Sequence, residues 1–212
     1  MQFDLTEIPG GDAYRMLTSI VVPRPIAWVT SMGENGVLNA APFSFFNMLG
    51  SNPPILGVGV GNRPDGTPKD TVQNVIARGE FVVNLVDEAN AETMNITAIE
   101  FPIDVCELTE AKLTPVECLH VSVPRIAEAP ASLECRLVER LEIGRNHVLI
   151  GQIVAIHVQD SLIGPDGRIL TEEASLIGRM HGGGGYARTS DLFHLDRLTV
   201  GEWERGKSST PQ

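Results

Sequence analysis

The stretch NAAPFSFFNM, residues 39–48, carries polar groups inside a run that otherwise suits a hydrophobic core. Asn39 and Ser44 supply an amide and a hydroxyl, and Pro42 cannot donate to a sheet ladder, so a strand is interrupted there. An interrupted strand at a barrel rim leaves backbone amides free to meet a ligand. These residue types therefore predict a binding surface. Simple core packing is the alternative for at least two of the three phenylalanines.

A helix is predicted over residues 67–79, TPKDTVQNVIARG. Thr67 suits the N-cap, Pro68 suits the first helical position and Asp70 suits the acid of a capping box. Gly79 follows the expected end of the helix, where a left-handed residue is common.

The first turn of this predicted helix is suited to hold a phosphate. It offers unpaired N–H groups and the positive end of the helix dipole, while Lys69 adds a cation and Thr71 a hydroxyl. The charge of Asp70 competes for the same amides. An ordinary capped surface helix is the alternative interpretation.

The segment RPIAWVTS also brings polar groups to a strand end. Arg24 stands between two prolines, and Thr30 and Ser31 place two hydroxyls at the end of the strand. Because proline cannot donate to a ladder, this segment is expected at a sheet edge or bulge.

Other motifs for chemistry are missing from the sequence. There is no GxGxxG followed by a helix, no GxxxxGK[ST], no GxSxG and no HExxH, so Rossmann and hydrolase interpretations lose their main support. Three widely spaced cysteines without CxxC predict neither a disulfide framework nor a zinc site. They are expected to be free thiols in a reducing compartment.

The elements that position these groups are mostly strands. Alternating apolar residues and hairpin turns predict strands over 20–32, 36–46, 53–61, 80–86, 133–143 and 147–160. A second helix is predicted over 89–100. Antiparallel strands with few helices predict a mainly β chain, folded as a barrel or sandwich.

Composition restricts the class of protein further. A chain of 212 residues with 42% hydrophobic residues fits one elaborated domain, predicted over 1–200 with a flexible tail at 201–212. The net charge of −11 argues against general nucleic-acid binding. Without an apolar run of about 18 residues, neither a membrane span nor a signal peptide is predicted. A cytoplasmic protein is expected.

Five segments in this order resemble the flavin reductase-like family of FMN-binding split barrels: RPIAWVTS, LNAAPFSFFN, NPPILGVGV, KDTVQN and EFVVNLV. The resemblance covers residues 18–90 closely and continues more loosely through NHVLIGQIV and GRMHGGGGYAR. It implies a Greek-key split β-barrel, usually a homodimer, with FMN bound near the subunit interface.

The resemblance also implies which residues meet the cofactor. Polar groups of NAAPFSFF would meet the ring edge and ribityl chain, Lys69 and Thr71 would hold the phosphate, and the run of four glycines would form either a flap or a surface loop. The residues implied in cofactor binding are Arg24, Thr30, Ser31, Asn39, Ala41, Ser44, Phe45, Phe46, Arg63, Lys69, Asp70, Thr71, Arg179 and Tyr186.

His147 is the predicted catalytic residue. NHVLIGQIV is similar to the family's His-containing strand motif, which is linked to nicotinamide binding. Arg145 and Asn146 precede it here, where some members have Gly and Asp. A lone surface or hydrogen-bonded histidine is the alternative.

Three functions remain open at this point. The first is an FMN-dependent oxidoreductase that takes hydride from NADH or NADPH and passes electrons to free flavin, a metal chelate or a small organic acceptor. The second is a flavoredoxin-type carrier that holds FMN and exchanges electrons with a protein partner without nicotinamide activity. The third is a split barrel that binds haem or no cofactor.

Overall fold

The computed structural model describes the backbone of residues 1–208 and the side chains through residue 205. The helices are α1 Gly10–Ile20, α2 Asp70–Arg78, α3 Ala91–Ile96, α4 Glu107–Glu110 and α5 Val200–Ser208. The strands are β1 Ala27–Met32, β2 Leu38–Phe43, β3 Phe45–Ser51, β4 Pro54–Gly61, β5 Glu80–Asn84, β6 Pro115–Val116, β7 Arg125–Ile126, β8 Ala131–Ile143, β9 Asn146–Val158, β10 Ile177–Arg179 and β11 Tyr186–Arg188. The prediction of a mainly β chain is confirmed.

Seven of these strands form one antiparallel sheet in the order β2-β1-β5-β8-β9-β4-β3. Strands β2 and β3 are the two edges of this sheet, yet only Ser44 separates them along the chain. Two Cα atoms on either side of one residue lie at most about 7 Å apart. The sheet must therefore curl until its edges meet, which produces a barrel that is split between β2 and β3.

The predicted strand over 20–32 is wrong in its first half. Residues up to Ile20 belong to α1, a helix that the sequence analysis missed, and the chain then passes through a cis peptide bond between Val22 and Pro23. Arg24 makes an isolated bridge with Arg179, and regular pairing starts only at β1. The two prolines explain the late start, because neither supplies an N–H to a ladder.

The predicted strand over 36–46 is two strands. β2 pairs with β1 through Phe43, whereas β3 pairs with β4 from Phe45 onward. Pro42 is tolerated because β2 is an edge strand. The other predicted strands appear as β4, β5, β8 and β9, with shifted ends.

Helix α2 begins later than predicted. Its N-cap is Lys69 and not Thr67, and Asp70 is its first residue. The Thr67 hydroxyl instead donates to Asp65, in the turn that precedes the helix. The predicted end is confirmed, since Gly79 adopts a left-handed φ of 71°. Helix α3 lies within the predicted 89–100 but is shorter.

Two main hydrophobic clusters and a small third one pack against the sheet. The first fills the barrel interior, where Phe81 and Leu56 are fully buried and Val72 and Val75 of α2 close one end. The second lies on the opposite face of β1, where Trp28 packs with residues of α3 and α4. Phe43 and Phe46 pack against the barrel core, as the core-packing alternative predicted.

The C-terminal helix α5 begins at the end of the predicted domain and covers the first part of the predicted tail. Residues 209–212 lie outside the described residues. Among the helices of the described chain, none combines the length and the apolar character that a membrane crossing requires.

Gly151 of β9 faces the barrel interior, where the packing leaves no space for a larger side chain. A Cβ atom at this position would lie 2.5 Å from Cζ of the buried Phe81. We expect Gly151→Ala to lower the free energy of unfolding by about 1–3 kcal/mol, as overpacking of a dense core does. Urea denaturation measures the change.

Gly61→Ala in β4 is the matched control for this substitution. The nearest atom to its Cβ is Asn146 Oδ1 at 3.8 Å, so its stability should change little. Equal stability of the two variants would contradict the expected clash.

Candidate functional site

The helix-end cavity lies where the N-terminus of α2 faces β2. It encloses about 170 Å³, and it is lined by Asn39, Ala41, Pro42, Phe43, Arg63, Lys69, Asp70, Thr71, Thr97, Ala98, Ile99, Glu100, Phe101 and Glu107. Six of the predicted cofactor residues are therefore brought together here. They come from β2, from the loop after β4 and from the first turn of α2.

The charged groups of the helix-end cavity form two ion pairs. Arg63 donates to Asp70 and to the carbonyl of Pro68, so the Asp70 charge that would oppose an anion is compensated. Lys69 Nζ lies 3.3 Å from Glu100 Oε1, with both side chains more than a third exposed. Exposed pairs of this kind contribute about 0–1 kcal/mol, so Lys69 is available to a stronger anionic partner.

The N-terminus of α2 keeps its own capacity for an anion. No side chain in the described part of the chain caps it. Thr71 Oγ1 accepts a hydrogen bond of 3.1 Å from Asn39 Nδ2, which fixes both residues at the cavity wall. Free first-turn amides, a positive dipole end and a lysine make a suitable arrangement for a phosphate.

The aromatic cavity adjoins the helix-end cavity and shares Pro42, Phe43 and Ala98 with it. It encloses about 200 Å³ and is lined by Tyr14, Ile26, Pro42, Phe43, Ser44, Met94, Asn95, Ala98, Arg179 and Tyr186. The two cavities together form the cleft, and their volumes reach the lower end of the range of about 300–1,000 Å³ for small-molecule sites.

Ser44 lies in the aromatic cavity at the split of the barrel. Because it belongs to neither β2 nor β3, its backbone takes no part in either ladder. Arg24 Nε approaches Ser44 Oγ at 3.4 Å, and Arg24 Nη1 donates to the carbonyls of Thr18 and Val21 at the end of α1. Arg24 is therefore a buried cation that ties α1 to the split.

The glycine-rich segment forms the turn of the β10–β11 hairpin. Arg179 is the last residue of β10 and Tyr186 is the first residue of β11. The Arg179 guanidinium lies 4.7 Å from the centre of the Tyr186 ring. Both side chains line the aromatic cavity. The hairpin thus covers one side of the cleft, with the glycines beyond it.

Five predicted cofactor residues do not line the cleft, and one of them, Arg24, approaches it only through Ser44. Thr30 is fully buried and donates to the carbonyl of Pro124, and Ser31 accepts from Asn39 and Asn74 behind the cavity wall. As consecutive residues of β1 they face opposite sides of the sheet, Thr30 toward Pro124 and Ser31 toward α2, and each hydroxyl is engaged there. Phe46 packs on the barrel core, and Phe45 stacks edge-on with Tyr14 outside the cavity lining.

His147 also lies apart from the cleft. It is 1% exposed on β9, and its Nε2 lies 2.8 Å from Asn62 Oδ1 in the loop after β4. Its Nδ1 has no hydrogen-bond partner in the described chain. In this position His147 lies under the loop after β4 and lines neither cavity of the cleft, and its catalytic role stays a prediction.

Comparison with known proteins identifies the family of the chain. The model of the flavin reductase like domain matches residues 18–171. The chain belongs to the flavin reductase-like family. The match begins inside α1 and includes the whole seven-stranded sheet.

Several solved structures are similar to this chain in fold and in sequence. Nitrilotriacetate monooxygenase component B from Bacillus cereus is 38% identical to this flavin reductase-like chain, with a TM-score of 0.87 over 92% of this chain and 98% of that one. The 2-nitrobenzoate 2-nitroreductase of Pseudomonas fluorescens is 33% identical, with a TM-score of 0.85 over 94% and 98%. A Shewanella frigidimarina protein with a split barrel domain is 22% identical, with a TM-score of 0.79 over 93% and 100%. The predicted split-barrel fold is confirmed.

Sequence reasoning missed five polar residues of the flavin reductase-like cleft: Tyr14, Asn95, Thr97, Glu100 and Glu107. Tyr14 was overlooked because Gly10 and Gly11 disguised the start of α1, although Tyr14 and Thr18 are spaced as neighbours on one helix face. Glu107 was overlooked because α4 is only four residues long and lies far along the chain from β2.

Glu107 is the carboxyl group at the base of the cleft. It is 7% exposed, and its Oε2 accepts a hydrogen bond of 3.2 Å from the backbone of Ala40. Burial raises the pKa of this carboxyl group above its usual value, and the nearby charge of Asp70 adds to the effect. Its proton is therefore held more tightly in the folded chain than in the unfolded chain.

The cysteines do not supply a nucleophile to the cleft. Cys106, Cys118 and Cys135 are free thiols. Burial raises the pKa of Cys118 to about 11, and it also raises that of Cys135. A protonated buried thiol is a weak nucleophile.

The raised pKa of Glu107 predicts a pH-dependent stability. Because the folded state binds the proton more tightly, the free energy of unfolding falls as the pH rises from the usual glutamate range through the raised pKa. We expect Glu107→Gln to lack this fall, so that its stability relative to the parent chain increases with pH. Denaturant titrations from about pH 4 to pH 8 measure the difference.

Glu110→Gln in the same helix is the matched control, since Glu110 is exposed. Its stability should follow that of the parent chain across the range. Parallel curves for Glu107→Gln and the parent chain would refute the assignment.

Proposed function

We propose that the chain is an FMN-dependent oxidoreductase that accepts hydride from NADH or NADPH. The observation that carries the proposal is the continuity of the cleft. One end presents a lysine and a helix N-terminus, and the other presents aromatic and small polar side chains. A flavin mononucleotide has the same division, with a phosphate at one end and a flat ring at the other.

The residues at the helix-end cavity fit the phosphate. Lys69 would exchange its exposed partner Glu100 for the phosphate, while Thr71 and the first-turn amides of α2 would add hydrogen bonds. Arg63 would keep the Asp70 charge compensated. Asn39 and Ala41 of β2 would then face the ribityl chain between the two cavities.

The residues at the aromatic cavity fit the ring. Ser44 offers a hydroxyl and an unpaired segment of backbone, and Tyr186 with Arg179 would cover the ring from the hairpin side. When bound, FMN supplies a carrier that accepts a hydride and releases electrons, and the chain supplies position and electrostatics. A donor near the pyrimidine edge of the ring would favour its anionic reduced form.

The electron acceptor is proposed by class from the relatives. One related structure is a component of a monooxygenase, and another is a reductase of a nitroaromatic acid. These names favour free flavin or a small organic acceptor over a metal chelate, which the resemblance also allows. The aromatic cavity is the place where a flat acceptor would meet the ring.

A homodimer is part of the proposal. Phe45, Met48 and Leu49 of β3 are each at least half exposed, and they lie beside the split that opens into the cleft. Burying such an apolar strand edge stabilises association. A second copy on this face would lie next to the aromatic cavity.

A flavoredoxin-type carrier is the second candidate. The position of His147 favours it, because the residue linked by resemblance to nicotinamide binding is 1% exposed and bonded to Asn62. Such a protein would hold FMN in the same cleft and exchange electrons with a protein partner. A barrel that binds haem or no cofactor is the third candidate, and the cleft described above counts against it.

Removal of the Lys69 charge tests the phosphate end of the cleft. We expect Lys69→Gln to weaken FMN binding at least about tenfold, because a charge-assisted hydrogen bond contributes about 1.5–3 kcal/mol. Riboflavin lacks the phosphate, so its affinity should not change. Flavin fluorescence titration measures both ligands.

Lys112→Gln, at an exposed lysine outside the cleft lining, is the matched control and should bind FMN like the parent chain. Equal losses for FMN and riboflavin would place the phosphate elsewhere. A parent chain that binds neither ligand would sink the proposed function and leave the third candidate.

Anaerobic mixing with NADH and with NADPH separates the first two candidates. The proposed oxidoreductase should bleach bound FMN with at least one nucleotide on the timescale of turnover. A carrier should be reduced by dithionite but not by either nucleotide. That second result would overturn nicotinamide activity and keep the FMN site.

A further inference from the structure

A cluster of three potential metal ligands lies outside the cleft. One ligand atom each from Cys118, Glu134 and His157 lies within 4.8 Å of the other two. Cys118 precedes β7, while Glu134 and His157 are diagonal neighbours on β8 and β9. None of the three lines either cavity of the cleft.

The carboxylate of this cluster is held in place by the backbone. Glu134 is fully buried, and its two oxygens accept hydrogen bonds of 2.7 Å from the amides of Leu119 and His120. Oε1 also lies 2.6 Å from His157 Nε2. Each carboxylate oxygen has a further lone pair, so the amide bonds leave room for a metal.

Ligands of metal sites are commonly oriented by hydrogen bonds of this kind from a second layer of groups. The two amides thus hold both oxygens of Glu134 in place as an anionic ligand. The Cys118 sulfur is half-buried beside Arg125, and zinc binding would displace its proton.

We propose that Cys118, Glu134 and His157 form a zinc site. Sulfur, imidazole nitrogen and carboxylate oxygen together are a ligand set that zinc takes, and three protein ligands leave a fourth position for water. The Arg125 side chain adds a positive charge near Cys118. This charge opposes any cation, so the bond between zinc and the thiolate must outweigh it.

The geometry needs only a small adjustment. Ligand atoms around a tetrahedral zinc ion lie about 3.5 Å apart, given zinc–ligand distances of about 2.0–2.3 Å. Glu134 is fixed by two amides, whereas the His157 side chain is 20% exposed and has room to rotate. His157 also lines a cavity of about 500 Å³ with Ser132 and Asp160, which gives an ion a path from solvent.

The sequence does not predict this site from spacing. The ligands are 16 and 23 residues apart along the chain, with no CxxC or HxxxH pair among them. Pairing of β8 with β9, and the return of the chain before β7, bring them together. The alternative without a metal is a hydrogen-bonded group in which His157 and a protonated Cys118 both donate to Glu134.

Cobalt titration of the full chain tests the proposal, with a phosphine reductant to keep the thiols reduced. We expect one Co²⁺ per chain to produce a near-ultraviolet thiolate-to-cobalt band and visible bands of tetrahedral intensity. Zn²⁺ should displace the cobalt and bleach these bands. Added Zn²⁺ should also raise the Tm of the parent chain, since an ion bound only to the folded state stabilises it.

Single substitutions locate the ion. Cys118→Ser should abolish the charge-transfer band, and His157→Gln should weaken Co²⁺ binding at least about tenfold, as loss of a ligand or its support does. Cys106→Ser is the matched control, at a half-buried thiol outside the cluster, and should keep the band. Far-ultraviolet circular dichroism of each metal-free variant reports whether its fold is intact, independently of the metal.

The absence of a band and of a Tm shift in the parent chain would overturn the zinc site. A band that survives Cys118→Ser and is lost in Cys106→Ser would overturn it as well. Because these readouts need neither FMN nor turnover, they stand or fall separately from the proposed oxidoreductase activity.

Discussion

The closure of the barrel through a single residue is the constraint on which the cleft depends. Strands β2 and β3 are opposite edges of a seven-stranded sheet, and Ser44 alone joins them. The chain can satisfy this connection only by curling the sheet, and the two strands then diverge where they would otherwise pair. The divergence exposes Ser44 and the Pro42–Phe43 wall, so a requirement of chain connectivity also creates the surface that a ligand can use.

Charge in the cleft is arranged by pairing rather than by an excess of cations. The chain carries a net charge of −11, and Asp70, Glu100 and Glu107 all line the helix-end cavity. Arg63 compensates Asp70, burial keeps the pKa of Glu107 raised, and Lys69 is held only by an exposed partner. An acidic protein can thus provide a local site for an anion. The acidic groups there are paired or hold their protons more tightly, and the lysine has only an exposed partner to give up.

The sequence predicted the residues of the cleft better than the path of the chain around them. Helix α2 and strand β2 were recognised from local signals, namely the capping residues around Pro68 and Asp70, the Gly79 at the helix end and the interrupting Pro42. Thr30 and Ser31 were expected in the cleft, but their hydroxyls are engaged by Pro124 and Asn74, which approach β1 from distant parts of the chain. Glu107 likewise reaches the cleft through a contact between α4 and β2, which no local spacing encodes.

Helix α1 contributes to the cleft from outside the segment that matches the family model. The family match starts at residue 18, whereas Tyr14 lies four positions earlier and lines the aromatic cavity. Arg24, inside the matched segment, anchors the carbonyl end of α1 through Thr18 and Val21. The helix and the barrel therefore enclose the cleft as one unit. A segment cut at the start of the family match would keep the sheet but lose Tyr14 from the wall of the aromatic cavity.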